Sequence, residues 1–232
     1  AGVVASALDA PAHISIDKGV RPSSGLGSSA ASAAATAVAL DELYDRNLSD
    51  HELVQIAAEG EKAVSGTAHA DNVAPSLLGG FTIATADGIH SVDTDVPLVV
   101  CLPEEPISTR DAREVVPTHV TIEELVATVG NAATLTVGMC RSDPELVGAG
   151  MADDVVTPNR AALISGYDDA AAAATEAGAH GVTVSGSGPS VLAVCPPQRR
   201  RAVASAMVEA FANNGEEARA YRTWTGNGAE LV

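Results

Sequence analysis

The chain has few aromatic residues and few cysteines. Phe, Trp and Tyr make up 3% of its 232 residues, so its core must be built from Ala, Val, Leu and Ile. The three cysteines, Cys101, Cys140 and Cys195, are far apart and lack metal-site spacing, which favours buried thiols in a reducing cytosol. No apolar run is long enough to span a membrane and no signal peptide is visible, so we expect a cytoplasmic protein.

Positive charge is also scarce. Lys18 and Lys62 are the only lysines, and 13 Lys and Arg against 30 acidic residues give a net charge of −17 at pH 7. The negative electrostatic potential of so acidic a protein repels nucleic acid and anionic membranes, so we expect neither as a partner. An acidic surface with little lysine also keeps a protein soluble in concentrated salt, and it therefore indicates a halophilic protein.

A glycine- and serine-rich stretch, residues 22–29, precedes an alanine-rich run to about residue 40, which predicts a helix. Gly25 and Gly27 allow positive φ and a close approach of the backbone to a ligand. A glycine turn leading into a helix N-terminus presents N–H donors and a positive dipole end, which suits phosphate. The stretch lacks the lysine of a P-loop, and Ala30 breaks the dinucleotide-binding pattern Gly-x-Gly-x-x-Gly. The alternative is a turn that caps an ordinary buried helix.

Hydrophobic periodicity predicts an α+β fold with an antiparallel sheet, because strands and helices do not alternate strictly. Residues 13–17 alternate and are β-branched, which predicts a strand. Ser49-Asp50-His51-Glu52 is a capping box and predicts the start of a helix, while Asp87-Gly88 predicts a hairpin turn. The predicted helices cover about 1–8, 30–44, 49–64, 121–140, 159–177 and 199–213, and the other predicted strands cover 81–84, 89–92, 98–102, 181–185, 190–195 and 218–223.

Four motifs, in order along the chain, resemble those of the GHMP kinase family. Residues 22–30, Pro-Ser-Ser-Gly-Leu-Gly-Ser-Ser-Ala, are similar to that family's phosphate loop, and residues 184–190, Val-Ser-Gly-Ser-Gly-Pro-Ser, to its late glycine motif. Residues 69–75, His-Ala-Asp-Asn-Val-Ala-Pro, and residues 106–113, Pro-Ile-Ser-Thr-Arg-Asp-Ala-Arg, resemble the homoserine kinases within the family. Other GHMP kinases usually lack these two elements.

The resemblance implies the GHMP kinase two-domain fold. A ribosomal S5 domain 2-like, ATP-binding part is expected over 1–97, a ferredoxin-like part over 98–232, and the active site in the cleft between them. The implied function is the ATP- and Mg²⁺-dependent phosphorylation of L-homoserine to O-phospho-L-homoserine in threonine biosynthesis. Two alternatives remain: another GHMP small-molecule kinase, of the shikimate or mevalonate type, and a non-catalytic nucleotide-binding remnant. A homodimer is an expectation from the family alone.

The same resemblance assigns roles to individual residues. Ser29 and Glu61 are implied to hold Mg²⁺, although a helix carboxylate in so acidic a protein is otherwise a solvated one. Arginine suits a substrate carboxylate because its planar fork binds in a bidentate way, although any one arginine could instead form a surface ion pair. The implied ATP-binding residues are Pro22, Ser23, Ser24, Gly25, Leu26, Gly27, Ser28 and Ser29. The implied substrate-binding residues are His69, Asn72, Thr109, Arg113, Arg160, Gly186, Ser187 and Gly188.

Ser29, Glu61 and Asn72 are the implied catalytic residues. Asn72, expected with His69 in a short loop, stands where mevalonate kinase relatives carry an aspartate base, and an amide cannot take a proton. The resemblance therefore implies catalysis by positioning and electrostatics. One departure concerns the family's first motif, Pro-Ala-Thr-x-Asn-x-Gly-x-Gly-x-Asp, which does not precede Ala1. We therefore expect that the N-terminus is missing from this sequence.

The charge balance generates a test of the halophilic interpretation. Because salt screens repulsion among the 30 acidic side chains, the melting temperature should fall when molar KCl is dialysed away. The measurement is thermal unfolding followed by circular dichroism across a KCl series. A melting temperature that does not respond to molar KCl would contradict the interpretation.

Overall fold

The computed structural model describes residues 1–65 and 70–232. The chain packs as two compact units: unit 1 comprises residues 1–22, 27–93 and 226–232, and unit 2 comprises residues 23–26 and 94–225. Both units combine helices with antiparallel strands, which confirms the α+β class. The division into functional domains at residue 97 stays a prediction. Within the described part of the chain, no helix has the length and apolar character needed to cross a membrane.

The core of unit 1 is formed by helices with alanine at their contact faces. On the second helix, Ala30, Ala33, Ala34 and Ala37 are buried along one face. Such small side chains allow close packing without the aromatic residues that the sequence lacks. The elements of this unit are α1 (Gly2–Ala7), α2 (Ser28–Leu43), α3 (Asp50–Ser65), α4 (Ala70–Leu78), β1 (Phe81–Ala84) and β2 (Ile89–Val92).

Two local signals in unit 1 are confirmed. At the start of α3, the Ser49 N–H donates to Glu52 Oε2 at 2.9 Å and the Glu52 N–H donates to Ser49 Oγ at 3.4 Å. The hydrogen bonds from the side chain and backbone of Ser49 lower the pKa of Glu52. The hairpin forms with Phe81 opposite Val92. These elements depend on residues close in sequence, so their patterns were sufficient to predict them.

The predicted strand over residues 13–17 is wrong. In the structure this segment has no regular secondary structure, and among the described residues no strand pairs with it. Ile14 instead packs against the helical core of unit 1, while Ile16 is exposed. The alternation of this segment therefore reflects one apolar contact with helices, because a strand also needs a neighbouring backbone to bond with.

Unit 2 is organised around a four-stranded antiparallel sheet in the order β4-β5-β3-β6. The central strand β3 pairs with β5 on one side, where Val100 faces Leu192, and with β6 on the other, where Val100 faces Tyr221. The strands are β3 (Pro97–Pro103), β4 (Gly181–Val184), β5 (Val191–Val194) and β6 (Ala218–Trp224). The helices are α5 (Thr109–Glu114), α6 (Ile122–Cys140), α7 (Pro144–Gly150), α8 (Thr157–Ala161), α9 (Tyr167–Glu176) and α10 (Arg200–Asn213), with a 3₁₀ turn over Pro197–Arg199 before α10.

Both faces of this sheet are covered. On one face Val99 and Cys101 pack with Phe211 and Met207 of α10, and on the other Val194 packs with Val147 of α7. Burial raises the pKa of the Cys101 thiol to about 12, so that thiol is unreactive in the core. Cys195 is also buried, and its pKa is raised for the same reason. The expectation of three buried thiols is wrong for Cys140, which is exposed near the end of α6.

The predicted helix over residues 159–177 is also wrong, because the structure divides it into α8 and α9. Between them the chain tightens into three-residue turns, with the Leu163 N–H donating to the Arg160 carbonyl at 3.0 Å. Gly166, the N-cap of α9, then takes a φ of +79° that interrupts a right-handed helix. The short helices α5 and α7 lie in segments where the sequence predicted no helix.

Two glycines provide a matched test of these helix assignments. A Cβ at Gly166 would require a left-handed alanine and would lie 3.1 Å from Asn214 Cβ, whereas Gly130 within α6 has open space around it. We expect Gly166→Ala to lower the free energy of unfolding by about 1 kcal/mol or more and Gly130→Ala to raise it by about 1 kcal/mol. Chemical denaturation of both variants measures this difference, and a change of the same sign in both would contradict it.

Candidate active site

The glycine-serine loop, residues 22–29, leads directly into α2. Gly27, the N-cap of α2, takes a φ of +70° and has no side chain with which to cap the first N–H groups of the helix. Ser23 takes a φ of +57°, a conformation that costs a non-glycine residue about 1 kcal/mol or more. Backbone strain next to an uncapped helix N-terminus is consistent with N–H groups held in place for an anion.

The first part of this loop contacts the second glycine motif, residues 184–190, within unit 2. The Ser185 Oγ donates to the Gly25 carbonyl at 3.1 Å, and the Ser190 N–H donates to the Ser24 carbonyl at 3.2 Å. A Cβ on Gly25 would lie only 2.2 Å from the Ser185 carbonyl oxygen and 2.8 Å from that of Gly188. Glycine at position 25 is therefore required by the close approach of two backbones as well as by its φ of +79°.

Ser29 and Glu61 meet in unit 1, although 32 residues separate them. The Ser29 Oγ, at the second residue of α2, donates to Glu61 Oε2 of α3 at 3.1 Å. Glu61 is 5% exposed, so the interpretation as a solvated surface carboxylate is wrong. A hydroxyl and a carboxylate are hard oxygen ligands of the kind that Mg²⁺ takes when phosphates and water complete its shell. Among residues 1–65 and 70–232, no group of three His, Cys, Asp or Glu side chains could hold a metal by itself.

His69 and Asn72 were expected in one short loop. His69 lies outside the described residues. Asn72 lies in α4 rather than in a loop, and its side chain is exposed. Although proline lacks the backbone N–H of a helix interior, α4 continues through Pro75 to Leu78.

Thr109 and Arg113 occupy α5, a helix of six residues that follows β3. Ser108 is its N-cap, and its Oγ accepts hydrogen bonds from the N–H groups of Arg110 and Asp111. Because Thr109 and Arg113 are four residues apart on a helix, they share one face, and both are exposed. A hydroxyl and a guanidinium therefore lie side by side after the central strand of the sheet.

Arg160 on α8 links α5 to the second glycine motif. Its Nε–H donates to the Ala112 carbonyl at 3.1 Å, and its Nη1–H donates to the Gly186 carbonyl at 2.8 Å. The side chain is half-buried, and a surface ion pair is therefore not the role that its geometry indicates. These contacts bring Arg160, α5 and Gly186 together in unit 2, with Ser187 and Gly188 following in the same loop.

Asp153 lies just before α8, the helix that carries Arg160, and it was not identified from the sequence. Asp153 Oδ1 accepts from the N–H groups of Val155 and Val156, and Oδ2 accepts from the N–H and hydroxyl of Thr157. Burial raises the pKa of Asp153, but these hydrogen bonds outweigh it, so the pKa is lowered overall. The signal in the sequence was an aspartate followed by Thr157-Pro158 at the start of a helix.

Two family models match the chain. The model "GHMP kinases N terminal domain" matches residues 1–80, and the model "GHMP kinases C terminal" matches residues 135–213. Together with the two α+β units and the glycine loop before α2, these matches show that the chain belongs to the GHMP kinase family and is a kinase.

Homoserine kinases are among the similar proteins of that family. The chain is 65% identical over 231 residues to the homoserine kinase of Halorubrum lacusprofundi, covering 100% of this chain and 79% of the relative. It is 68% identical to the homoserine kinase of Haloquadratum walsbyi, covering 99% and 79%. A crystal structure of homoserine kinase from Cytophaga hutchinsonii superposes with a TM-score of 0.85 at 34% identity, covering 93% of this chain and 70% of that chain. The GHMP kinase fold expected from the sequence is confirmed.

The role of Asp153 can be tested through pH. Because hydrogen bonding lowers its pKa in the folded state, its stabilising contribution is present above the unfolded pKa and is lost as pH falls through the folded value. We expect Asp153→Asn to unfold more easily than wild type at neutral pH and this difference to shrink as the solution is acidified. Urea unfolding across a pH series measures it. Asp154→Asn, at the exposed neighbouring position, is the control, and an equal effect there would contradict the assignment.

Proposed function

We propose that this protein is a homoserine kinase that transfers the γ-phosphoryl group of ATP to the hydroxyl of L-homoserine, giving O-phospho-L-homoserine for threonine biosynthesis. The observation that carries the proposal is the grouping of α5, Arg160 and Gly186, because one of the two elements that distinguish homoserine kinases, residues 106–113, is joined there to the late glycine motif of the family. Identity of 62–68% to homoserine kinases over nearly the whole chain supports it. The proposal locates the enzyme in the cytoplasm, and a homodimer is expected from the family alone.

The ATP-binding role is assigned to residues 22–29, within a domain proposed to cover residues 1–97. Phosphoryl transfer requires little covalent chemistry from a protein, so catalysis depends on positioning and on neutralising phosphate charge. The uncapped N–H groups at the start of α2, together with those of Gly25, Leu26 and Gly27, would bind the phosphates. The hydrogen bond from the Ser185 hydroxyl to the Gly25 carbonyl supports this role, because it holds Gly25 in place before the ligand arrives.

Ser29 and Glu61 are proposed to hold Mg²⁺. Their oxygens lie 3.1 Å apart, and Glu61 is buried, so the carboxylate is oriented by its surroundings. When bound there, the ion would offset the negative charge of the β- and γ-phosphates. Asn72, whose amide cannot take a proton, is proposed to orient the substrate, and no residue is assigned as a base. The hydroxyl proton of homoserine would leave to phosphate or water.

The amino-acid substrate is assigned to Arg113 and Arg160 through its carboxylate. Arg160 already donates two of its five N–H groups to carbonyls, and the remaining three are those assigned to the carboxylate. Thr109, on the same face of α5 as Arg113, would contribute its hydroxyl. His69, Gly186, Ser187 and Gly188 complete the proposed pocket by the resemblance to homoserine kinases.

The experiment that tests the function is a coupled assay of ADP release by the full-length protein in molar KCl with Mg²⁺. L-homoserine, shikimate and mevalonate are offered as separate acceptors. Release that depends on homoserine and on Mg²⁺ is the expected result. ADP release with shikimate or mevalonate but not with homoserine would mean that the protein is a GHMP kinase for that other substrate. Nucleotide binding without turnover on any acceptor would indicate a non-catalytic nucleotide-binding remnant.

Two pairs of variants separate the proposed roles. Glu61→Ala should lower kcat by a factor on the order of 10² or more, because the buried carboxylate is assigned to the metal ion. Glu59→Ala is its control, since Glu59 is exposed on the same helix and pairs with Lys62. Arg113→Ala should raise the KM for homoserine much more than that for ATP. Arg110→Ala is the control on α5, because Arg110 is exposed and pairs with Glu114 at 2.8 Å.

Steady-state kinetics of these four variants supply the measurement. If Arg113→Ala raised both KM values equally, the carboxylate role would be wrong. If Glu59→Ala lowered kcat as much as Glu61→Ala, the loss would reflect the removal of any negative charge from α3 rather than the loss of a metal ligand.

A further inference from the structure

One of the two lysines in the sequence holds the start of α2. The Lys18 Nζ donates to three acceptors on the first turn of that helix: the Ser28 carbonyl at 2.9 Å, the Ser28 Oγ at 3.2 Å and the Ser32 Oγ at 2.6 Å. All three donor positions of the ammonium are therefore used within one helical turn.

A second hydrogen bond joins the segment before the glycine-serine loop to the start of α2. The Ser28 Oγ, which accepts from Lys18, donates its own proton to the Val20 carbonyl at 2.7 Å. The Ser32 Oγ in turn donates to the Ser28 carbonyl at 3.0 Å. Ser28 is buried, so these bonds are partly shielded from water. Lys18 and Val20 precede the glycine-serine loop and Ser28 follows it, so the two contacts close the chain around residues 21–27.

Helix stability does not explain the position of this cation. A positive charge near a helix N-terminus opposes the helix dipole and is unfavourable there. The first turn of α2 instead gains a positive charge in addition to its uncapped N–H groups. In a chain with a net charge of −17, a cation in this position makes the local field favourable to an anion that the protein as a whole repels.

We propose that Lys18 is a positioning residue for the phosphate loop. Its ammonium clamps the first turn of α2 through Ser28 and Ser32, so that the loop is held closed and the helix N–H groups keep a fixed direction. Loss of these hydrogen bonds lets the loop sample open conformations. The apparent affinity for ATP then falls in proportion to the fraction of molecules in which the loop is still closed. This inference rests on the proposed kinase function, because it concerns the same loop.

The test compares Lys18→Met, Lys18→Arg and Ser32→Ala in the full-length protein at constant KCl. Steady-state kinetics give KM for ATP and for homoserine, and fluorescence titration with a labelled ATP analogue gives nucleotide affinity without turnover. Lys18→Met should raise the KM for ATP roughly 10-fold and weaken analogue binding by a similar factor, because hydrogen bonds from a charged donor are lost. The KM for homoserine should change less than about twofold.

The other variants separate charge from clamping. Lys18→Arg keeps the charge and can still bond both serines, so it should recover most of the affinity. Ser32→Ala keeps the charge and removes one acceptor, so it should weaken ATP binding less than Lys18→Met. Lys62→Met is the matched control: it removes the other lysine, which lies exposed on α3 and pairs with Glu59 at 3.7 Å, and it should leave the KM for ATP unchanged.

Thermal unfolding of each variant distinguishes a local effect from loss of the fold. If Lys18→Met retains the wild-type melting temperature and the wild-type affinity for the analogue, the proposal is wrong. It is equally wrong if both KM values rise together or if Lys62→Met behaves like Lys18→Met. The analogue-binding outcome is independent of the acceptor assay, because binding of the ATP analogue to wild type and variants is measured without turnover, even if homoserine is not the substrate.

Discussion

The close contact between the two glycine motifs at Gly25 and Ser185 constrains the backbone of the candidate site in unit 2. Gly25 and Ser185 approach so closely that a single methyl group at position 25 would overlap a carbonyl oxygen. Further hydrogen bonds lie next to this contact: Gly186 accepts from Arg160, Arg160 also donates to the Ala112 carbonyl of α5, and Asp153 accepts from N–H groups at the start of α8. Each of these hydrogen bonds joins one side chain to a backbone atom, so the geometry depends on main-chain positions and on the few side chains that bond to them.

Such construction is suited to phosphoryl transfer. The reaction requires a protein to fix positions and to place donors, and backbone groups held by the side chains of Ser185 and Arg160 do this without reorganising when a ligand arrives. The Ser29–Glu61 pair adds a second kind of constraint, because it joins two helices whose alanine-lined faces allow close packing. In unit 1, close packing of alanine faces thus accompanies the buried Glu61 carboxylate and its hydrogen bond to Ser29.

Much of the fold could be predicted from the sequence where the decisive contacts are local. The capping box at Ser49, the hairpin turn at Asp87-Gly88 and the buried strand β3 depend on residues within a few positions of one another. Residues 13–17 were predicted wrongly because alternation describes one buried face and says nothing of a partner strand. The break at Gly166 was missed because the helical pattern of alanines on both sides concealed one left-handed residue.

The candidate site divides in the same way. Residues 22–29 and 184–190 are recognisable because glycine, serine and proline at fixed spacing have few other uses. Glu61 was identified only through resemblance, since nothing local connects it to Ser29, 32 residues earlier. Lys18 and Asp153 received no role in the sequence analysis, because the partners of Lys18 lie beyond the glycine-serine loop and the aspartate is read as a cap only once the start of α8 is known.

The scarcity of lysine has a practical consequence for chemical labelling. Amine-directed reagents usually mark many surface positions at once, but here the side-chain amines are confined to Lys18 and Lys62. Lys62 lies exposed on α3, while the Lys18 amine is engaged in three hydrogen bonds at the start of α2. The ratio of labelling at these two positions therefore measures how often the first turn of α2 releases its clamp, with the exposed amine serving as an internal standard in the same molecule.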